Sequence, residues 1–209
     1  MSFAAKLSRP FRKGFRKARL KLAGFSCRDQ GWAKEIHRCQ QEVSETDAHP
    51  HYLKAYRDAE LWYWLHIPSW MTDLSKAGFK VNKVLDVGCA YGTLALFSQR
   101  MFNCEIYCTD FTDIYLSEKL KQNYNFNFAV NNIEREEFPW PLQFDVIIFT
   151  EVLEHLNFHP KPTLRKLRSL LLSNGKLFLT TPDAKEWGLQ PNITKAFKMF
   201  LCPEQNKRL

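Results

Sequence analysis

Five short apolar runs, at residues 82–87, 104–109, 126–131, 144–150 and 176–181, alternate with stretches of helical spacing at 92–102, 112–122 and 161–172, and a shorter one at 151–156. Strands that alternate with helices build βαβ units, so the pattern predicts an α/β fold, a mostly parallel sheet flanked by helices. Ser173-Asn174-Gly175-Lys176 reads as a turn leading into the last strand. After Pro182 only 27 residues follow, and Ile193–Leu201 has the pattern of a helix. The C-terminal end is therefore expected to be short. A sheet that stops at five strands leaves 176–181 as an apolar edge, which needs cover from residues 184–209 or from a second copy of the chain in a homodimer.

Ahead of this alternation the chain reads as helical. Residues 30–47 form one expected helix, His49-Pro50-His51 a turn, and 52–66 a second helix that Pro68 ends. The second helix carries Tyr52, Tyr56, Trp62, Tyr63 and Trp64, a density of aromatics that suits packing on the sheet, an acceptor pocket, or both. Earlier still, Leu7, Phe11, Phe15, Ala18, Leu22 and Phe25 recur at helical spacing, with cations on the other face. Three regions result: a basic amphipathic arm at 1–28, an N-terminal helical lid region at 29–79 and the α/β domain at 80–209.

Composition adds little until charge is considered. The 209 residues are 45% apolar and 14% aromatic, a globular composition, and no apolar run approaches the roughly 18 residues that cross a bilayer. The arm also lacks a secretory h-region. The six cysteines form no CxxC pair and read as free thiols of a reducing, cytoplasmic compartment. Of the net charge of +8, nine Lys or Arg and no acid fall within residues 1–28, which leaves the body at −1. A basic patch so confined argues for a local tether and against nucleic acid as the partner of the domain. The arm fits an interfacial helix on an anionic membrane surface through residues 6–25, a solvated arm, or an organelle or nucleic-acid-binding segment. The first of these makes the protein cytoplasmic and peripheral to the membrane.

The candidate chemistry centres on Val84-Leu85-Asp86-Val87-Gly88-Cys89-Ala90-Tyr91-Gly92. A short strand ends near an acid, and a turn of small residues opens into the helical run from Thr93. Small residues there let a ligand approach the backbone, and the helix N-terminus offers free N–H groups. A second acid, Asp110, ends the next strand 18 residues after Gly92. That pairing suits a nucleoside cofactor at the carboxyl edge of an open sheet.

Val84–Gly92, Cys108-Thr109-Asp110, the run 144–156 and Gly175–Pro182 together resemble the ordered motifs of class I S-adenosylmethionine-dependent methyltransferases, over roughly residues 80–183. The resemblance implies a Rossmann-like sheet and S-adenosylmethionine as cofactor. It also implies roles. Gly88, Ala90 and Gly92 form the loop against the methionine and ribose parts, with Ala90 where the family often has glycine. Asp86 orients the turn and holds the methionine ammonium, and Asp110 accepts both ribose hydroxyls. Phe111 covers an adenine face, Asn132 bonds the exocyclic amine, Ile133 packs on the ring, and Thr150 ends the strand facing the cofactor.

For the chemical step the sequence offers Glu151 and His155. On a short helix Glu151, Glu154 and His155 fall at i, i+3 and i+4, on one face, and His155 has the right ordinary pKa for a general base. His155 positioning the loop through a backbone carbonyl is the alternative. In small-RNA terminal 2′-O-methyltransferases a Glu-x-x-Glu-His run ligates a divalent ion with a later histidine; none follows His159 here, so no metal is expected. The aromatic lid and basic arm favour transfer to a hydroxyl, or a similar nucleophile, of a small or lipid- or glycan-linked acceptor. Two other readings stay open: an RNA 2′-O-methyltransferase, and a truncated or non-catalytic cofactor-binding relative acting as a partner subunit.

Overall fold

The computed structural model describes residues 30–46, 52, 60, 64, 66–181 and 199–201. Helices α1 (Gln30–Ser44) and α2 (Ile67–Lys76) precede β1 (Lys83–Val87), α3 (Thr93–Phe102), β2 (Glu105–Asp110), α4 (Glu118–Tyr124), β3 (Asn127–Val130) and β4 (Phe144–Thr150). A 3₁₀ turn (Leu153–His155), α5 (Lys161–Ser169), β5 (Leu171–Thr180) and β6 (Met199–Leu201) follow. The sheet runs β3-β2-β1-β4-β5-β6, parallel from β3 through β5, with β6 antiparallel to β5. Strand order reverses between β1 and β4. The crevice outside their carboxyl ends is where an open α/β sheet binds ligands.

Alternation along the strands divides the core in two. Val84, Ile106, Cys108, Val146, Ile148 and Phe178 belong to one apolar cluster with Ile36 of α1, Met71 of α2 and Leu94–Phe97 of α3. Leu85, Val87, Tyr107, Ile147, Phe149, Leu177 and Leu179 belong to the other, with Leu167 of α5. The Rossmann-like sheet flanked by helices is thus the fold of the chain.

Several expected boundaries move, each for a local reason. Pro68 opens α2 instead of only ending what precedes it, because a helix leaves its first N–H groups unpaired anyway. Helix α4 starts at 118, not 112, where the Ser117 side chain accepts the Leu120 amide at 3.4 Å. The turn expected at 173–176 is a bulge inside β5: Phe144 pairs with Leu171, but Val146 pairs with Lys176.

At the C-terminal end, Met199–Leu201 is a strand where a helix was expected. It pairs with Leu177–Leu179, so the chain itself covers the edge for which a second copy was the alternative. The arm at 1–28, residues 193–198, and Tyr56, Trp62 and Tyr63 lie outside the described residues. No helix among the described residues is long and apolar enough to cross a membrane.

Candidate active site

The turn after β1 is held in an unusual shape. Gly88, Ala90 and Gly92 have φ of 76°, 45° and 78°. Gly88 needs that freedom, whereas Ala90 carries a β-carbon in left-handed backbone at a cost on the order of 1–2 kcal/mol. Hydrogen bonds hold the shape: the Gly88 and Cys89 amides donate to the Thr109 carbonyl at 2.7 and 3.2 Å, tying the turn to β2. The Ala90 amide donates to Oδ2 of Asp110 at 2.9 Å.

Two carboxyl groups lie under this turn. Asp86 is buried, and burial together with the neighbouring Asp110 pushes it up to about 7. Burial raises Asp110 as well, against the opposing pull of the Ala90, Thr112 and Phe111 amides. Phe111, next along, is 76% exposed.

Beyond β3 the two neighbouring asparagines sit in different surroundings. Asn132 uses Oδ1 to accept the Glu134 amide at 3.1 Å, a local turn bond. Asn131 instead is buried, with Nδ2 donating to the Glu137 carbonyl at 3.0 Å. Ile133 is buried in the apolar cluster with Leu85, Val87 and Tyr107. Glu134 accepts the Asn157 and Phe158 amides at 3.0 and 2.9 Å, clamping this loop to the segment after the 3₁₀ turn.

Thr150, last residue of β4, pairs in register with Thr180 of β5. Glu151 follows with φ of 53°, outside the 3₁₀ turn, so Glu151, Glu154 and His155 do not share one helical face as their spacing suggests. Burial, then the Glu154 charge, raises Glu151 to about 7. The His155 side chain is 76% exposed, its Nε2 lying 3.9 Å from Oε1 of Glu154. Glu154 in turn accepts the Thr181 hydroxyl at 3.1 Å.

Along this edge three buried polar atoms lack a hydrogen-bond partner among the described residues, Asp86 Oδ2 on β1, Thr109 Oγ1 on β2 and Asn131 Oδ1 after β3, while the Glu151 carboxyl after β4 and the Thr180 hydroxyl on β5 face each other. Each unpartnered atom costs on the order of 1–3 kcal/mol when left so. The opposite edge differs. Asp145, buried there, accepts the Asn82 and Lys83 amides at 2.8 and 2.9 Å. The orphaned row fits a ligand rich in polar groups, as the amino, carboxyl and ribose groups of S-adenosylmethionine are.

Sequence reasoning gave no role of their own to Thr109 and Thr180, although strand-end position was a usable signal for both, and it named Asn131 only within the segment 131–134 that the resemblance matches to the adenine edge. It also missed Glu60, one of two acids, with Asp58, in the aromatic stretch 52–66.

A protein-family model described as a methyltransferase domain matches residues 28–201. Among solved structures, the chain is similar to the plantazolicin methyltransferase BamL, solved with a triazolic desmethylPZN analog and S-adenosylhomocysteine. The identity is 21% and the TM-score 0.55, over 77% of this chain and 62% of that one. It is also similar to the N-methyltransferase NodS from Bradyrhizobium japonicum WM9, solved with S-adenosylhomocysteine. There the identity is 16% and the TM-score 0.51, over 75% of this chain and 79% of that one. At such identities the likeness is one of fold. A comparison with curated proteins finds no match.

Proposed function

The chain belongs to the methyltransferase-domain family, within the class I S-adenosylmethionine-dependent methyltransferases, and from that premise we propose that it methylates a hydroxyl, or a comparable nucleophile, of a small or lipid- or glycan-linked acceptor. The unpartnered polar atoms of Asp86, Thr109 and Asn131 carry the cofactor part of this reading, and the exposed apolar side chains of the same edge support the acceptor part. Bound S-adenosylmethionine supplies the electrophilic methyl group.

The chain's own residues do the rest. The turn at Gly88, Ala90 and Gly92 receives the methionine and ribose parts. Asp86 holds the ammonium, and Asp110 accepts from the ribose while its Oδ2 keeps the Ala90 amide. Phe111 covers the adenine, whose edge meets Asn131, Asn132 and the Ile133 backbone. Thr150 and Thr180 floor the crevice between β4 and β5.

Glu151 serves as general base, taking the acceptor's proton at Oε1. A carboxyl near 7 holds and releases a proton at neutral pH, which suits that task. His155, exposed on the 3₁₀ turn, meets the acceptor at the mouth of the site.

Phe111, Ile114, Val130 and Phe158 are exposed apolar side chains on the loops and strand ends of this same edge, which supports an acceptor with an apolar part. With the basic stripe at residues 6–25, they favour work in the cytoplasm at an anionic membrane surface. Fractionating a cell extract with labelled cofactor, using wild type beside Glu151→Gln, tests the proposal. Label should pass to an amphiphilic product with wild type alone; label confined to RNA would reject the acceptor class.

A further inference from the structure

Glu60 is 5% exposed and lies beside the start of α3. Its carboxyl meets side chains from three separate parts of the chain. Nε2 of Gln40 on α1 and the Tyr52 hydroxyl both donate to Oε2 at 2.8 Å, and the Thr93 hydroxyl donates to Oε1 at 3.2 Å. The Tyr52 and Thr93 oxygens are themselves 2.5 Å apart. Carboxyl and two hydroxyls thus close a ring of three O···O contacts. The two hydroxyls carry only two protons between them, so the third contact is filled when the carboxyl is protonated. Burial, which raises Glu60 to about 7, favours that form.

The ring sits against the cofactor turn. Thr93 follows Gly92 directly as the first residue of α3, and the Tyr52 ring packs on Tyr91 at 4.6 Å between centroids. A turn that keeps Ala90 at φ 45° needs surroundings that over-determine it. From the sheet side Asp110 holds Ala90; from the lid side Tyr52, Glu60 and Thr93 hold the two residues on either flank of Gly92.

We propose that Glu60 is a positioning residue, which through Tyr52 and Thr93 holds the turn at 88–92 in the shape that receives the cofactor. The proposal rests on the cofactor reading above. The test is titration of the full chain with S-adenosylhomocysteine, well below the melting transition, beside a melting curve for each variant. Tyr52→Phe keeps the ring packing and removes two of the three contacts, and should weaken binding about tenfold. Thr93→Val should do the same, and carries the test if Tyr52→Phe does not fold. The double variant should bind no worse than the weaker single one, since one break already opens the ring. Glu60→Gln should rescue, staying within about twofold of wild type, because its amide donates to Thr93 and its carbonyl accepts from Tyr52 and Gln40.

Variants that melt lower yet bind as wild type does would make the ring merely structural and overturn the proposal. So would additive losses, or a Glu60→Gln variant as impaired as Glu60→Ala. Absence of binding by the wild type would overturn the cofactor reading along with it.

Discussion

A β-carbon on Gly88 would stand 2.3 Å from Cγ2 of Val152, so the cofactor turn and the segment after β4 meet with no room for a methyl group. Gly88→Ala adds that clash to a left-handed backbone at φ 76°, worth about 1–2 kcal/mol by itself. It should lower the melting temperature and weaken S-adenosylhomocysteine binding together. Ala90→Gly should behave oppositely. It relieves the strain at φ 45°, partly offset by the freedom glycine adds to the unfolded chain, so its melting temperature should equal or exceed wild type. Thermal melts of the two variants, side by side, check both.

The roles of Glu151 and His155 separate kinetically. Glu151→Gln keeps the shape but cannot take a proton, and should lower kcat by roughly 100-fold or more with little change in cofactor affinity. His155→Ala, at an exposed position, should act mainly on KM for the acceptor. Equal kcat losses in both would contradict this division of roles.

Stability should fall as pH rises toward neutrality. Asp86, Glu151 and Glu60 are each raised to about 7, whereas in the unfolded chain they titrate near 4. Between those values the native state binds protons that the unfolded state has released. The stabilisation from these groups is therefore complete below about 4 and lost as pH climbs through about 7. Glu134, held low by the Asn157 amide, acts only in more acid solution. The ligand-free protein should melt lower at pH 8 than at 5.5, a difference scanning calorimetry reads directly. A melting temperature that rises over that interval would contradict the burial of these acids.

Deleting residues 1–25 should abolish sedimentation with anionic liposomes while leaving S-adenosylhomocysteine affinity unchanged. Sedimentation that survives the deletion would reject the lipid tether.

Much of this architecture was legible because β1, β2 and β4 combine apolar runs with an acid or small residues at their carboxyl ends. Asp86, Gly88, Gly92 and Asp110 declare themselves in that way. The signal failed where tertiary packing decides. Ser117 took the cap of α4, which no period count reveals, and β5 absorbed Ser173-Asn174-Gly175 as a bulge because Phe144 and Lys176 fix its register around them. Asn131 and Asn132 are chemically alike, and only the fold assigns one to the interior and the other to a local turn. Glu60 was opaque for a related reason: its partners Gln40, Tyr52 and Thr93 are 20, 8 and 33 residues away in sequence.

The central claim is that the carboxyl edge of the sheet, with Asp110 at the end of β2, holds S-adenosylmethionine. Isothermal titration of the full chain with S-adenosylhomocysteine, wild type beside Asp110→Ala, tests it most directly. The wild type should bind one equivalent, and the variant should bind about 100-fold more weakly while melting as a folded protein, since hydrogen bonds to a charged acceptor contribute about 1.5–3 kcal/mol each. No heat with the wild type, or equal affinity in the two proteins, would contradict it.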